Sequence, residues 1–245
     1  MAKLQAPESA APLSAQPIAS PAERSPVRAV QRAFNLLARL GGERGATLSE
    51  LARETELPIS TVARLLSTLE QIGFAQRQGD GRFGAGMKLI QIGLSALRGL
   101  NIYDLAEPHL RRLADASGET ANLAVRADET HAIYLRQVLS RRAVRHSSWV
   151  GRMLPLDRTA VGAVLRNDLD ASGFAVRRNT FEPDVVAIAA PVRGPDGGVA
   201  AALSITAPSY RIADSDLDRL GALVLEEATR VAAELGGAFL TGQMR

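Results

Sequence analysis

The strongest constraint on this chain lies between residues 47 and 86, in the order of its elements: a capped short helix, a tight turn, a two-faced helix and a glycine-rich hairpin bearing arginines. Thr47 stands three residues before Glu50, the spacing at which a hydroxyl and a carboxylate cap each other's backbone amides. Leu48, Leu51 and Ala52 supply the buried side of that helix, and Glu56-Leu57-Pro58-Ile59 form the turn. Pro58 presets the dihedral of the next helix start. Val62, Leu65, Leu66, Leu69 and Ile72 then recur at spacings of three and four, and Gly73 marks the stop. Upstream, Val30, Ala33, Phe34, Leu37 and Leu40 predict another helix, ended by Gly41-Gly42. Downstream, FAQRQGDGRFGAG reads as two short strands around Gly79-Asp80-Gly81.

This order suits a winged helix-turn-helix, in which one helix packs across the nucleic-acid backbone and the next offers its first turns to major-groove base edges. The expected DNA-binding set is Thr47, Pro58, Ser60, Thr61, Arg64, Ser67, Arg77 and Arg82. Arg64 is placed for guanine or phosphate, and the hydroxyls for phosphate or base edges. Arg77 and Arg82 flank the wing turn, where the sugar-phosphate rail or the minor groove is in reach.

Composition narrows the remaining classes. The formal charge of +3 is small for 245 residues, but among the cationic side chains only Lys3 and Lys88 are lysine. Arginine forks onto phosphate and guanine, which suits nucleic acid, although a coding bias toward Arg and Ala gives the same balance. There is no cysteine, so disulfides, thiolate metal sites and cysteine nucleophiles are excluded. His109, His131 and His146 form no ligand spacing, and no metal or other cofactor is expected. No apolar run approaches the roughly 18 residues of a membrane span. Residues 1–26, rich in Ala, Pro and Ser, read as a disordered tail. Pro7, Glu8, Pro12 and Pro17 interrupt any secretory signal, so a cytoplasmic protein is expected.

The length suggests two domains. The winged helix-turn-helix is expected over 27–86, a linker helix over 87–100, and a mixed domain over 101–245. That second part opens with an amphipathic helix from Leu105 to Ala116, interrupted early by Pro108, followed by the strand-like runs TANLAVR and HAIYLRQV. VVAIAAPVR and AALSIT, joined by a Pro195-Asp196-Gly197-Gly198 turn, indicate an antiparallel sheet with helices to cover one face. A last helix runs from Asp214 through Leu235.

The runs LSELARETELPISTVARLLSTLEQIGF and GRFGAGMKLIQIG resemble the DNA-binding domain of the IclR family of bacterial transcription regulators. The likeness continues through LAEPHLRRLADASGETANLAV, VGRMLPLDRTAVG, GFAVRRNTFEPDVVAIAAPV and AALSITAPSYR. It implies an α+β chain: a winged helix-turn-helix, a linker helix and a GAF-like effector-binding domain. It also implies homodimers, often paired into homotetramers, that repress or activate operons on double-stranded DNA, usually at an inverted repeat, under control of a small effector, usually an organic acid. Matched residue by residue, the effector positions are Thr159, Ala160 and Val161 before Gly162, together with Ser204, Thr206 and Asp184. Helix N-terminal amides suit a carboxylate, and Ser204 and Thr206 share one strand face.

The chain departs from the family pattern in three places. Between TAVGAVLRN and GFAVRRN few residues remain where relatives carry one or two helices beside the pocket, so an outer wall is expected to be missing near 166–173. Ala163 stands where lysine is usual, and Asp184 where glycine is usual. An acidic group there opposes an anionic effector. That leaves a neutral or cationic effector, or a sensor reduced to oligomerisation, as open alternatives. Two other readings fail on context. Gly79-Asp80-Gly81-Arg82-Phe83-Gly84 matches a dinucleotide fingerprint without its buried strand. Ser204, His131 and Asp157 have the residue types of a catalytic triad but no motif that positions them, so an enzyme is not expected.

Overall fold

A computed structural model describes residues 27–41, 44–145 and 147–242; the expected disordered tail, residues 1–26, lies outside the described residues, as does His146. The chain divides into two compact units that meet between Ile92 and Gly93.

The first unit holds α1 (Arg28–Arg39), α2 (Leu48–Thr55), α3 (Ile59–Gln71), strands β1 (Ala75–Arg77) and β2 (Phe83–Ala85), and the beginning of α4 (Met87–Arg98). The capping box at Thr47 is formed in both directions: the Glu50 amide donates to Thr47 Oγ1 at 3.2 Å, and the Thr47 amide donates to Glu50 Oε2 at 2.7 Å. Glu56 ends α2 in the left-handed region at φ 55°, which turns the chain sharply enough for α3 to begin at Ile59. Leu36, Leu51, Val62 and Leu66 meet in a core that Phe83 of β2 closes. Burial of each large aliphatic side chain contributes about 1.5–3 kcal/mol.

The buried stripe of α1 differs from the expected one. Leu37 and Leu40 are buried as expected and Leu36 joins them, whereas Val30 and Phe34 are 52% and 63% exposed. Packing against α2 and α3 buries the leucines of the second half of the helix and leaves Val30 and Phe34 exposed. Ile72, at the end of α3, is likewise exposed rather than buried. β1 and β2 pair antiparallel from Ala75↔Ala85 to Arg77↔Phe83, and Ala46 bridges to Phe83 as a further edge. Gly86 is required here, because a Cβ would lie 2.2 Å from the Gly73 carbonyl oxygen.

The second unit opens with α5 (Asn101–Ser117), which runs through Pro108 without interruption. Pro108 sits on the exposed side of the helix, where solvent can serve the carbonyl group that loses its partner. β3 (Thr120–Arg126), β4 (His131–Val138), β5 (Met153–Pro155), β6 (Ala175–Arg178), β7 (Val185–Arg193) and β8 (Val199–Pro208) form one antiparallel sheet in the order β5-β4-β3-β8-β7-β6. The edge strands β5 and β6 are too short to show a period of two in the sequence.

Strand alternation builds two cores. Leu123, Ile188, Leu203 and Ile205 face α5 and the C-terminal helix α7 (Leu217–Gly242). Ala124, Ala189 and Ala202 face the other way, toward α6 (Ala160–Leu165). The sheet is therefore covered on both faces, not on one. Asp214–Asp216 form a 3-10 turn, and the last α-helix begins only at Leu217. Between α6 and β6, residues 166–174 form a loop without a helix.

Candidate DNA interface and effector cleft

On α3 the leucine side is turned inward, and Ser60, Arg64 and Ser67 are exposed together, with Thr61 half-buried at the edge. The first turn carries no acidic residue, and Pro58 provides no side-chain cap to the helix start. Arg64 takes part in no ion pair among the described residues, so its guanidinium is available. Ile59 and Ala63 lie exposed on the same surface. They are apolar and suited to contact a thymine methyl group, a role that a search for polar side chains passes over.

The two wing arginines differ. Arg77 is exposed and lies over the Phe83 ring, its Cζ 5.1 Å from the centroid, and it meets no carboxylate. Arg82 turns back into the domain: its Nε donates to the Arg44 carbonyl at 3.1 Å, and its guanidinium reaches the Glu50 carboxylate. Thr47 is engaged in its own cap on the same carboxylate. Hydrogen bonds from the Thr47 backbone and side chain, followed by the charge of Arg82, hold Glu50 below its ordinary range. Arg82, Glu50 and Thr47 thus brace the wing against α2, while neither Arg64 nor Arg77 pairs with a carboxylate among the described residues.

In the second unit a narrow cleft, with about 40 Å³ of free space, opens between α6 and the sheet. Thr159, Ala160, Val161 and Thr206 line it. Thr159 is engaged, its Oγ1 donating to the Pro155 carbonyl at 2.8 Å and accepting from the Gly162 amide at 3.1 Å. Ser204 lies beneath, fully buried, and connects to the cleft through a polar net. Asn122 Nδ2 donates to Ser204 Oγ at 3.3 Å and to Thr206 Oγ1 at 3.4 Å. Gln137 Nε2 donates to Asn122 Oδ1 at 2.6 Å, and the Trp149 amide donates to Gln137 Oε1 at 2.6 Å. Tyr134 lies beside Ser204, and burial pushes its phenol up to about 12. Among the described residues no buried side-chain polar atom lacks a partner.

Asp184 does not line the cleft. It is exposed in the left-handed region at φ 58°, and its carbonyl accepts from the Ser209 amide. Ala163 faces the small-residue core and not the opening. The shortened segment leaves Leu169 packed on that same core, and the outer wall comes from two other loops. Trp149 and Phe181 meet edge to face there, with centroids 5.8 Å apart. Tyr134, Trp149, Arg158, Arg177 and Phe181 were missed from the sequence, because their common surface is assembled from β4, β6 and three loops. The triad candidates do not engage one another: Ser204 bonds to Asn122, and His131 to Asp128 and Thr130.

Comparison with known proteins places this architecture. The IclR helix-turn-helix domain matches residues 29–79, and the bacterial transcriptional regulator IclR C-terminal domain matches 94–171 and 165–233, two segments that meet at the shortened loop. The acetate operon repressor of Salmonella typhimurium is 29% identical over 86% of this chain and 91% of its own. The transcriptional repressor IclR of Escherichia coli is 28% identical over the same shares. An IclR transcriptional regulator from Alicyclobacillus acidocaldarius superposes with a TM-score of 0.71 at 25% identity, over 86% of this chain and 99% of that one. An IclR homologue from Microbacterium hydrocarbonoxydans, complexed with 4-hydroxybenzoate, superposes with a TM-score of 0.72 at 22% identity, over 84% and 98%. With a winged helix-turn-helix ahead of a sheet-and-cleft domain, and with both domain models matched, the chain belongs to the IclR family of bacterial transcriptional regulators.

Proposed function

We propose that this regulator binds a symmetric duplex operator as a homo-oligomer in the cytoplasm, represses transcription from it, and is released or recruited by a small molecule held in the cleft of the second unit. The observation that carries the DNA-binding half is the exposed face of α3, where Arg64 and the hydroxyls of Ser60 and Ser67 stand together without a carboxylate to occupy the guanidinium. The amides of the uncapped first turn and Arg77 of the wing serve phosphates on either side. Thr47, Glu50 and Arg82 support that surface from behind.

Effector control is supported by the cleft itself, whose hydroxyl floor and aromatic wall are features of a small-molecule site. The 4-hydroxybenzoate held by the Microbacterium hydrocarbonoxydans homologue supports the same reading. Nothing in the cleft joins a nucleophile to a base, so the small molecule is read as a signal rather than a substrate.

The test is selection of bound sequences from a random duplex pool at fixed salt. An enriched inverted repeat is expected; recovery of no sequence above background would overturn the reading of a symmetric, sequence-specific regulator.

A further inference from the structure

We propose that Ile59 and Ala63 are specificity-determining residues that read the 5-methyl groups of thymines in each operator half-site; the proposal rests on the DNA-binding reading of α3 given above.

The inventory of the helix start carries the argument. A recognition helix meets base edges with its N-terminal residues. On the first two turns of α3, residues 59–66, the exposed side chains are Ile59, Ser60, Ala63 and Arg64. Half of the base-reading surface is therefore apolar. An isolated exposed isoleucine is ordinary on a protein surface. Ile59, 54% exposed, is not isolated: Ala63 follows it four residues on, and the pair forms one row beside the polar row of Ser60 and Arg64. Neither residue belongs to the core of the unit, to which α3 contributes Val62, Leu66 and Leu69.

The polar groups leave a gap that the apolar row fills. Arg64 can pair with guanine, but these turns hold no amide side chain, the usual partner of adenine, and no carboxylate, the usual partner of the cytosine amine. Glu70 and Gln71 stand in the last turn, at the far end of the helix, and Thr68 donates its hydroxyl to the Arg64 carbonyl at 3.1 Å. The thymine methyl is then the feature of an A·T pair that this surface is built to meet. Four residues of helix advance roughly 6 Å, less than two duplex steps of roughly 3.4 Å. A helix lying along the groove thus sets Ile59 and Ala63 over thymines no more than two base pairs apart.

The experiment uses the full chain and the operator recovered by selection, remade with deoxyuridine in place of each thymidine of one half-site in turn. This deletes the 5-methyl group and keeps the base pair. Affinity is read by competition at fixed salt. Substitution at two positions is expected to weaken binding about fourfold each, the loss of one buried methyl group. Ile59→Ala is expected to abolish the penalty at one of them and Ala63→Ser at the other, while Ile59→Val, which keeps an apolar tip, retains it. A selected half-site without thymine, no sensitivity to deoxyuridine, or the same sensitivity in Ile59→Ala and Ala63→Ser as in the unaltered protein would each overturn the proposal. An enriched inverted repeat that is insensitive to deoxyuridine refutes the methyl readout alone, whereas a pool with no enriched sequence refutes it together with the reading of a sequence-specific regulator.

Discussion

One guanidinium nitrogen of Arg82 donates to both carboxylate oxygens of Glu50, at 3.2 and 3.1 Å, tying the wing turn to the first turn of α2. The same carboxylate accepts from the Thr47 amide, so one acidic group holds a helix cap and a hairpin together. Arg82 is therefore a positioning residue, and Arg77 is the wing cation left for DNA. Arg77→Ala should lower the slope of log affinity against log salt by about one, the loss of one phosphate contact. Arg82→Ala should leave that slope unchanged while hydrogen exchange speeds up at the β1 and β2 amides. The reverse pattern would exchange the two roles.

Arg64 has no partner on its own helix face. Arg64→Ala is expected to weaken operator binding by about 1–3 kcal/mol and to relax the preference at one base position, measured by competition between operator and random duplex. An equal loss on both duplexes would assign Arg64 to phosphate.

Acid should weaken the first unit through Glu50. Its folded value is held below the ordinary 4.5 chiefly by hydrogen bonds from Thr47, so the stabilisation is complete above that value and is lost as pH falls through the folded one. In the second unit Asp128, which accepts from the Thr130 and His131 amides, is lowered to about 2 and keeps its contribution further into acid. Melting curves collected from about pH 6 down to pH 3 should show the first unit losing stability earlier, with Glu50→Gln flattening that early loss. A Glu50→Gln protein with an unchanged acid profile would remove Glu50 as the cause.

Gly162 allows α6 to lie against the end of β5, since a Cβ would stand 2.0 Å from the Leu156 carbonyl oxygen. Gly162→Ala is expected to cost about 1–3 kcal/mol in chemical denaturation, the range for overpacking, and to loosen the cleft wall built on Ala160 and Val161. Unchanged stability would mean that α6 shifts freely.

The local features were legible in the sequence because their causes are local. The Thr47–Glu50 cap, the turn at Pro58, the inward face of Val62, Leu66 and Leu69, and the Gly79-Asp80-Gly81 hairpin each follow from spacing along a few residues. The family resemblance extended the reading to the sheet and placed Thr159 and Thr206 in one region. What spacing cannot carry is a choice between equivalent partners. Phe34 and Leu37 of α1 share one helical period, and only packing buries Leu37 beside Leu36 and exposes Phe34. Two wing arginines flank one turn, and only the fold brings Glu50 to Arg82 and leaves Arg77 without a carboxylate among the described residues. Asp184, conspicuous in sequence, turns away from the cleft, while Arg177, on a strand too short to be seen, faces it. The sequence by itself determined the elements and the alternation of their faces, because backbone geometry repeats every two or 3.6 residues. The tertiary structure alone decided which side chains meet, because the lining of the cleft and the pairing of the arginines depend on groups separated by tens of residues along the chain.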